Sequence, residues 1–360
     1  MKEGITIQDL ATKLVEIEQS KLDLVVPTRS MEMENGTLML RTEEANIPKE
    51  LSLNNWSHAQ VSQYTDVPKA YYDRLRVENP MLLSSCVNHG FFTAVQCAKL
   101  GNESRMLRTN KGIVRGFLSS RYRRLDSHDL LETCLPLLME HQFVVKSCQL
   151  TEQKMYLKVV TDRIQGEVVP GQVVQYGLVI SSSDVGAGSV RVEPLIYELI
   201  CKNGMISNTN IRKYHIGRNQ GADNIEELLT DETKKLNDKA FWATIHDLVK
   251  GSMEKAHFQR EIALLQEARQ VPITNMRLDK VVDLTMKEFG VSNRKHKDSI
   301  LNYLASGADG RGLNKWGLAN AFTWAAQAED AEYEEATNLE RVGGKIIAMN
   351  KSKWESVAGS

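Results

Sequence analysis

The amino-acid sequence predicts an α+β protein: an antiparallel sheet core with helices on one side, followed by a mostly helical C-terminal region. Within residues 105–206, several short runs alternate apolar and polar residues, a period of two that is typical of strands. From about Asn224 onward the apolar residues recur at helical spacing, and Pro272 is the only proline there. Hydrophobic residues make up 42% of the 360 residues and charged residues 25%, which is typical of a globular protein.

The chain is long enough for two or three domains, and we divide it into three parts. Residues 1–100 are predicted to form an N-terminal region with a helix, a β-hairpin and a helical hairpin. Residues 101–222 are predicted to form the α+β core, which includes a basic strand. Residues 223–360 are predicted to form the helical C-terminal region.

Two supersecondary signals follow the N-terminal helix. Residues 31–41 alternate about Asn35-Gly36, the dipeptide favoured in type I′ turns, so a β-hairpin is predicted. The next stretch resembles a helix-turn-helix, with small Ser62 where two helices would cross and Leu75 on the core side. Asp66 stands at the turn, where glycine is usual. A helical hairpin that only packs is therefore favoured over a DNA-reading motif.

The core begins with a basic strand over residues 113–122, a helix over residues 127–139 and a second strand near Phe143. Asp126 and Ser127 are expected to accept the free N–H groups of the first helical turn. Two strands are expected to join near residues 151–153, and a further strand ends in a turn over residues 181–188.

A helix is predicted after the strand over residues 189–192. Its apolar positions at helical spacing are Leu195, Ile196, Leu199 and Ile200. We expect this helix to end at Asn203-Gly204, because glycine readily takes the left-handed conformation of a C-terminal cap.

Several classes of protein lack their signatures in this sequence. No apolar run approaches the roughly 20 residues that span a bilayer, and the acidic N-terminal pattern predicts a retained amphipathic helix rather than a signal peptide. The five scattered cysteines are typical of reduced thiols in the cytoplasm. There is no metal-ligand motif, dinucleotide fingerprint or P-loop. We therefore predict no metal, no cofactor, no membrane partner and no catalytic residues.

The strongest functional signal is local positive charge. Residues 101–125 contain seven Lys and Arg against one Glu, in a chain of net charge -1, which indicates a surface that meets an anion. Nucleic acid requires cations for phosphate and an aromatic ring for bases, and Arg115, Phe117 and Arg121 would share one face of a strand. The residues predicted to bind nucleic acid are Lys111, Arg115, Phe117, Arg121, Tyr122, Arg123 and Arg124, with Lys202, Arg212 and Lys213 in a second basic group.

A structural alternative stays open for the same residues. In this alternative, Phe117 belongs to the core and the arginines pair with the acidic residues 329–335 of the C-terminal region, within one chain or between subunits. Asp184 is the acid of interest if the protein is an enzyme, although a turn aspartate also bonds its own backbone.

Three segments together resemble a known family: residues 67–92, residues 115–132 (RGFLSSRYRRLDSHDLLE) and residues 176–206. Over roughly residues 54–214 they are similar to the phage- and plasmid-borne proteins of domain of unknown function 932. The family's recurring positions match Arg115, Ser119, Tyr122, Asp126, Asp184, Cys201, Asn203 and Gly204. The resemblance implies a protein encoded on phages or conjugative elements, acting in the host cytoplasm near genes for DNA repair, recombination or evasion of restriction. It implies no catalytic residues.

Three functions follow as hypotheses. The first is non-enzymatic binding of nucleic acid, single-stranded DNA above all, in recombination, annealing or replication of a mobile element. Annealing would require a homo-oligomer. The second is a factor that binds a host protein and counters a defence system, which the near-neutral net charge favours. The third is a nuclease-like or nucleotide-processing enzyme that gathers Asp126, His128 and Asp184 in a cleft.

Overall fold

The computed structural model describes residues 1–43, 47–97, 103–199, 202–207, 231–274, 277–307 and 312–359, without the side chains of residues 95–97 and 231–235. Its strands form two mostly antiparallel sheets, and its C-terminal region is helical. The predicted α+β class is confirmed. Within the described ranges, no helix combines the length and the apolar character needed to cross a membrane.

Twelve α-helices lie in these ranges: α1 (Ile7–Ser20), α2 (Asn55–Tyr64), α3 (Lys69–Glu78), α4 (Pro80–Cys97), α5 (Ser127–Glu140), α6 (Asp231–Ser252), α7 (Lys255–Arg269), α8 (Leu278–Phe289), α9 (Arg294–Ser306), α10 (Lys315–Ala325), α11 (Tyr333–Ile347) and α12 (Lys351–Ala358). Asparagine caps several of them: Asn54, Asn293, Asn314 and Asn350 each accept a backbone N–H of the first turn. These caps explain where α2, α9, α10 and α12 begin.

The strands are β1 (Lys21–Pro27), β2 (Met31–Glu34), β3 (Thr37–Leu40), β4 (Glu50–Leu53), β5 (Ser104–Asn110), β6 (Ile113–Ser119), β7 (Val144–Leu150), β8 (Met155–Glu167), β9 (Val173–Ser182), β10 (Arg191–Glu198) and β11 (Gly204–Ile206). The first sheet has the order β1-β5-β6-β4-β3-β2, and the second has the order β11-β10-β9-β8-β7. The basic strand β6 therefore lies between β5 and the N-terminal strand β4, and the first sheet spans the predicted division at residue 100.

The predicted β-hairpin is confirmed. Strands β2 and β3 pair from Met31↔Leu40 to Glu34↔Thr37, which leaves a two-residue turn. Asn35 and Gly36 form that turn with φ of 49° and 86°, the positive values that a type I′ turn requires.

The predicted helical hairpin also forms, from α2 and α3. Ser62 Oγ donates a hydrogen bond to the carbonyl of Val67 at 2.7 Å, and Asp66 takes the left-handed φ of 55° that glycine usually supplies. The His58 ring and the Tyr72 hydroxyl are 2.8 Å apart in the interior between the helices. These contacts are those of two helices that pack together against the first sheet.

The prediction of a helix around Leu195 is wrong, because this segment is the strand β10. It pairs with β9 from Arg191↔Ser181 to Glu198↔Val174, and Gly204 begins β11 instead of capping a helix. Leu195 is buried and so is its neighbour Ile196 on the opposite face of the strand. A strand buried on both faces has a continuous apolar run, which periodicity does not distinguish from a buried helix.

Helices cover both faces of the second sheet rather than one. On one face Lys158 Nζ lies 2.6 Å from Glu340 Oε2 of α11, and both side chains are fully buried. On the other face the ring of Tyr176 lies 5.7 Å from that of Phe258 in α7. The C-terminal helices are therefore part of the core around this sheet.

Candidate nucleic-acid interface

A β-bulge separates two residues that were predicted to share a face. The pairing of β5 with β6 shifts register after Arg108, which leaves Arg115 as the extra residue. Arg115 then lies on the same side as Arg108, and both contact Asp184. Phe117 pairs with Leu107 and so lies on the opposite face. The predicted shared face is wrong because the bulge interrupts the alternation of side chains.

Phe117 is a core residue. Its side chain is 1% exposed, and its ring centroid lies 5.3 Å from Tyr64 and 6.1 Å from Phe91. In this position the ring is not available to stack on a base, which corrects the prediction that Phe117 contacts nucleic acid. The structural alternative describes this residue correctly.

Arg108 occupies the centre of a buried junction between the two sheets. Its side chain is 3% exposed, and its Nε and Nη2 atoms lie 3.0 Å from Asp23 Oδ1 and 2.6 Å from Asp126 Oδ1. Its Nη1 donates to the carbonyl of Asp184 at 3.0 Å. Burial alone would lower the pKa of Arg108, but hydrogen bonds and charges from Asp126 and Asp23 outweigh it and raise that pKa.

Asp126 does not cap α5 with its side chain, contrary to the prediction. Its Oδ2 lies 2.5 Å from Lys21 Nζ, while its Oδ1 faces Arg108. Burial raises the pKa of Asp126, but hydrogen bonds from Arg108 and Lys21 outweigh this effect and hold the pKa below its ordinary value. The capping role falls to Asp184, whose Oδ1 accepts from Ser127 N at 2.8 Å and from Ser127 Oγ at 2.5 Å.

The turn between β9 and β10 joins both sheets. The carbonyl of Val185 accepts hydrogen bonds of 2.8 Å from Trp56 and Gln60 of α2. Ser183 Oγ donates to the carbonyl of Gln153 at 2.7 Å, which ties the turn back to the second sheet. The turn around Asp184 therefore links α2 to the second sheet. The sequence predicted the turn but not these contacts.

The clearest surface feature is the arginine loop, which we define as residues 121–124 between β6 and α5. Tyr122 holds this loop in place, because its hydroxyl donates to the carbonyl of Ser183 at 3.0 Å. Burial raises the pKa of Tyr122 to about 12, so the hydroxyl stays protonated and remains a donor. Arg121 is exposed, and the side chains of Arg123 and Arg124 are 32% and 50% exposed. A fixed tyrosine thus presents three arginines to solvent.

Acids within the chain contact these arginines. Arg124 Nε lies 3.6 Å from Asp23 Oδ2, and Arg123 Nη2 lies 2.6 Å from Asp238 Oδ1 of α6. Arg121 also has a partner in the chain. The less exposed Arg115 lies 3.6 Å from Asp184 Oδ2.

The acidic residues 329–335 are not the acids seen at these arginines. Instead, Glu334 contacts Lys154, Glu335 Oε1 lies 2.8 Å from His296 Nε2, and Asp330 Oδ2 lies 2.5 Å from Lys295 Nζ. The alternative interpretation correctly anticipates intramolecular pairing, but it names the wrong acids.

The remaining predicted cations are dispersed. Lys111 lies in the turn between β5 and β6, where its side chain is 66% exposed and 3.8 Å from Glu16. Lys202 is exposed in the turn between β10 and β11 of the second sheet, whereas Lys111 and Arg115 belong to the β5–β6 hairpin of the first sheet. Arg212 and Lys213 lie outside the described residues.

The proposed catalytic grouping of Asp126, His128 and Asp184 does not form an open cleft. Both aspartates are buried and paired with arginines, as described above. Within the described ranges, His128, Asp129 and Glu132 place possible metal-ligand atoms within 4.8 Å of one another. These three residues lie in the first turns of α5, where the positive end of the helix dipole disfavours a cation.

Comparisons of the chain with family models, with curated proteins and with solved structures found no match. A fixed loop with two exposed arginines and one partly exposed arginine can bind phosphate oxygens, for which arginine has suitable donor geometry. Sequence reasoning identified this loop but missed Arg108, Asp23 and Lys21, whose partners are distant along the chain.

Proposed function

We propose that the protein binds nucleic acid through the arginine loop. The single observation that carries the proposal is that Tyr122 is fixed by its hydrogen bond to Ser183, while Arg121 and Arg124 are exposed and Arg123 is partly exposed. A loop held in this way loses little conformational entropy when it binds a ligand, because its backbone is already ordered.

The intramolecular pairs leave this function open. Arg124 is half exposed, and its Nε lies 3.6 Å from the buried Asp23 Oδ2, which is too long for a hydrogen bond, so its guanidinium keeps N–H donors for another acceptor. A phosphate oxygen can accept from these donors, and the release of counterions from the nucleic acid adds to the free energy of binding. By contrast, the buried Arg108 and the partly buried Arg115 serve the junction and contribute only indirectly.

We expect contacts to phosphate groups to dominate the proposed binding. Phe117 lies in the core and Tyr122 is partly buried, with its hydroxyl fixed on the Ser183 carbonyl, so we do not expect these two predicted stacking residues to form a platform for bases. We therefore expect little sequence dependence and a steep dependence on salt. Single-stranded DNA remains the preferred ligand of the proposal, because a flexible strand can follow a short curved loop.

The resemblance to the phage and plasmid family supports a biological setting for this binding. In that setting the protein acts without catalysis, in recombination, annealing or replication of a mobile element in the host cytoplasm. Annealing would bring two strands together on a homo-oligomer with aligned arginine loops. A catalytic role would require divalent-metal-dependent turnover, which is a separate measurement.

The experiment is fluorescence anisotropy of labelled single- and double-stranded DNA with the purified chain, across a series of salt concentrations. We expect the affinity to fall steeply as the salt concentration rises and to be higher for single-stranded than for double-stranded DNA. Absence of binding to either form at low salt would contradict it.

Exposed apolar residues on two neighbouring helices favour a protein partner as a second candidate function. Val77 of α3 and Met81 and Phe92 of α4 are large apolar residues that lie largely in solvent. Such surfaces often mark protein–protein contacts. Capture of a specific host protein, lost when Met81 and Phe92 are changed to serine, would support this candidate over nucleic-acid binding.

A further inference from the structure

A polar cavity lies between β10 and α11, on the face of the second sheet that carries Lys158. It has a volume of about 570 Å³, within the range of roughly 300–1,000 Å³ typical of small-ligand sites. Arg191 and Glu193 of β10 line one side, and Asn338 and Arg341 of α11 line the other. This cavity takes no part in the proposed nucleic-acid interface.

Charges of both signs line the cavity in equal number. The cationic residues are Lys154, Arg191, Arg341 and Lys345, and the acidic residues are Glu193, Glu332, Glu334 and Glu335. A purely anionic ligand would meet four carboxylates, and a purely cationic ligand would meet four positive charges. The lining is therefore most complementary to a ligand that carries both signs.

Most of these charges are already matched within the chain. Arg341 binds Glu193 through two nitrogens, with Nη2 2.7 Å from Oε2, and both side chains are largely buried. Lys154 contacts Glu334, and Glu335 contacts His296. Lys345 has interactions of its own, including one with the Phe289 ring.

Two of the charged lining residues differ from the others in this respect. Among the residues that the structure describes, neither Arg191 nor Glu332 has an ion-pair partner within 4.0 Å. Arg191 offers five N–H donors in a planar fork that matches a carboxylate, and Glu332 offers an acceptor for an ammonium group. The unmatched pair therefore has opposite signs and complementary chemistry.

We propose that the cavity binds a small zwitterionic molecule of the amino-acid class. Arg191 receives its carboxylate and Glu332 receives its ammonium group, while the amide of Asn338 offers further hydrogen bonds. The paired Arg341 and Glu193 hold the shape of the site.

The test is to titrate the full chain with individual amino acids, leucine, glutamate and lysine among them, up to millimolar concentration. Binding is measured by calorimetry, and stabilisation by the shift in the thermal unfolding midpoint. Acetate, methylamine and inorganic phosphate are the single-charge probes. The proposal expects saturable binding and stabilisation by at least one amino acid and none by the single-charge probes. Arg191→Gln and Glu332→Gln should each weaken binding about tenfold or more, whereas the matched exposed variant Arg277→Gln should not.

Three results would overturn this proposal: no amino acid binds, acetate or phosphate binds as tightly, or both cavity variants bind like the unaltered chain. Each of these results is independent of DNA binding, since Arg191 and Glu332 lie outside the arginine loop.

Discussion

The Nη2 atom of Arg108 lies 2.6 Å from Oδ1 of Asp126, at the place where the two sheets meet. Arg108 belongs to β5 of the first sheet, and Asp126 immediately precedes α5, which packs with the second sheet. Asp184 completes the contact from the turn after β9. The two sheets are therefore joined by buried ion pairs, and the arginine loop lies directly before Asp126 in the chain.

Replacing Arg108 tests the importance of this junction for stability. Arg108→Met would leave Asp23 and Asp126 buried without their common partner, and loss of one member of a buried pair costs about 3–5 kcal/mol. We expect the free energy of unfolding in urea to fall by about that amount. Arg277→Met, at an exposed arginine, is the matched control and should change little. Equal stability of the two variants would contradict the prediction.

Asp126 should make stability depend on acid pH. In the folded chain its pKa is held below the ordinary value of 3.8 by Arg108 and Lys21, which outweigh the effect of burial. The unfolded carboxyl then binds protons first, so the stabilisation is complete above 3.8 and is lost as the pH falls through the folded pKa. Urea unfolding from neutral to acid pH should show a shallower acid decline in Asp126→Asn than in the unaltered chain. Identical slopes would be inconsistent with this assignment.

Local signals in the sequence predicted local structure well. Asn35-Gly36 specified a two-residue turn, and apolar spacing specified α5, because both depend on neighbouring residues. The helix predicted around Leu195 failed because burial on both faces of β10 removed the alternation that identifies a strand. The bulge at Arg115 was equally unreadable, since it depends on pairing with β5.

The buried junction was beyond local sequence reasoning for a different reason. Arg108 and Asp23 are 85 positions apart, and Lys21 and Asp126 are 105 positions apart. No pattern in either segment indicates such a partner. The basic segment was therefore recognised as unusual, but its division into buried junction residues and exposed loop residues required the three-dimensional fold.

The fully buried pair of Lys158 and Glu340 predicts a non-additive response to mutation. Burial lowers the pKa of Lys158, and Glu340 partly offsets that effect by stabilising the charged amine. Lys158→Met alone leaves a buried carboxylate unpaired and should cost about 3–5 kcal/mol in urea unfolding. Lys158→Met combined with Glu340→Leu should recover most of that loss. Additive losses in the double variant would show that the two residues are not coupled.

Gly344 tests the close approach of α11 to the second sheet. A Cβ atom at this position would overlap the carbonyl oxygen of Ile206, which is backbone and cannot rotate away. Gly344→Ala should therefore lower the free energy of unfolding by about 1–3 kcal/mol. Gly251→Ala, in α6 with open space around it, is the matched control and should be neutral or stabilising. A neutral Gly344→Ala would contradict the observed packing.

The most direct test of the central claim compares DNA binding by two triple variants across a salt series. One variant changes Arg121, Arg123 and Arg124 to alanine, and the matched control changes the exposed cations Arg277, Lys295 and Lys351 to alanine. Both lose three positive charges, so a difference between them reports position rather than net charge. We predict that the loop variant loses most of its affinity for single-stranded DNA, with a salt slope reduced by about 2, since each phosphate contact contributes roughly 0.7. Unchanged affinity and slope in the loop variant, or equal losses in both variants, would contradict the arginine loop as the binding site.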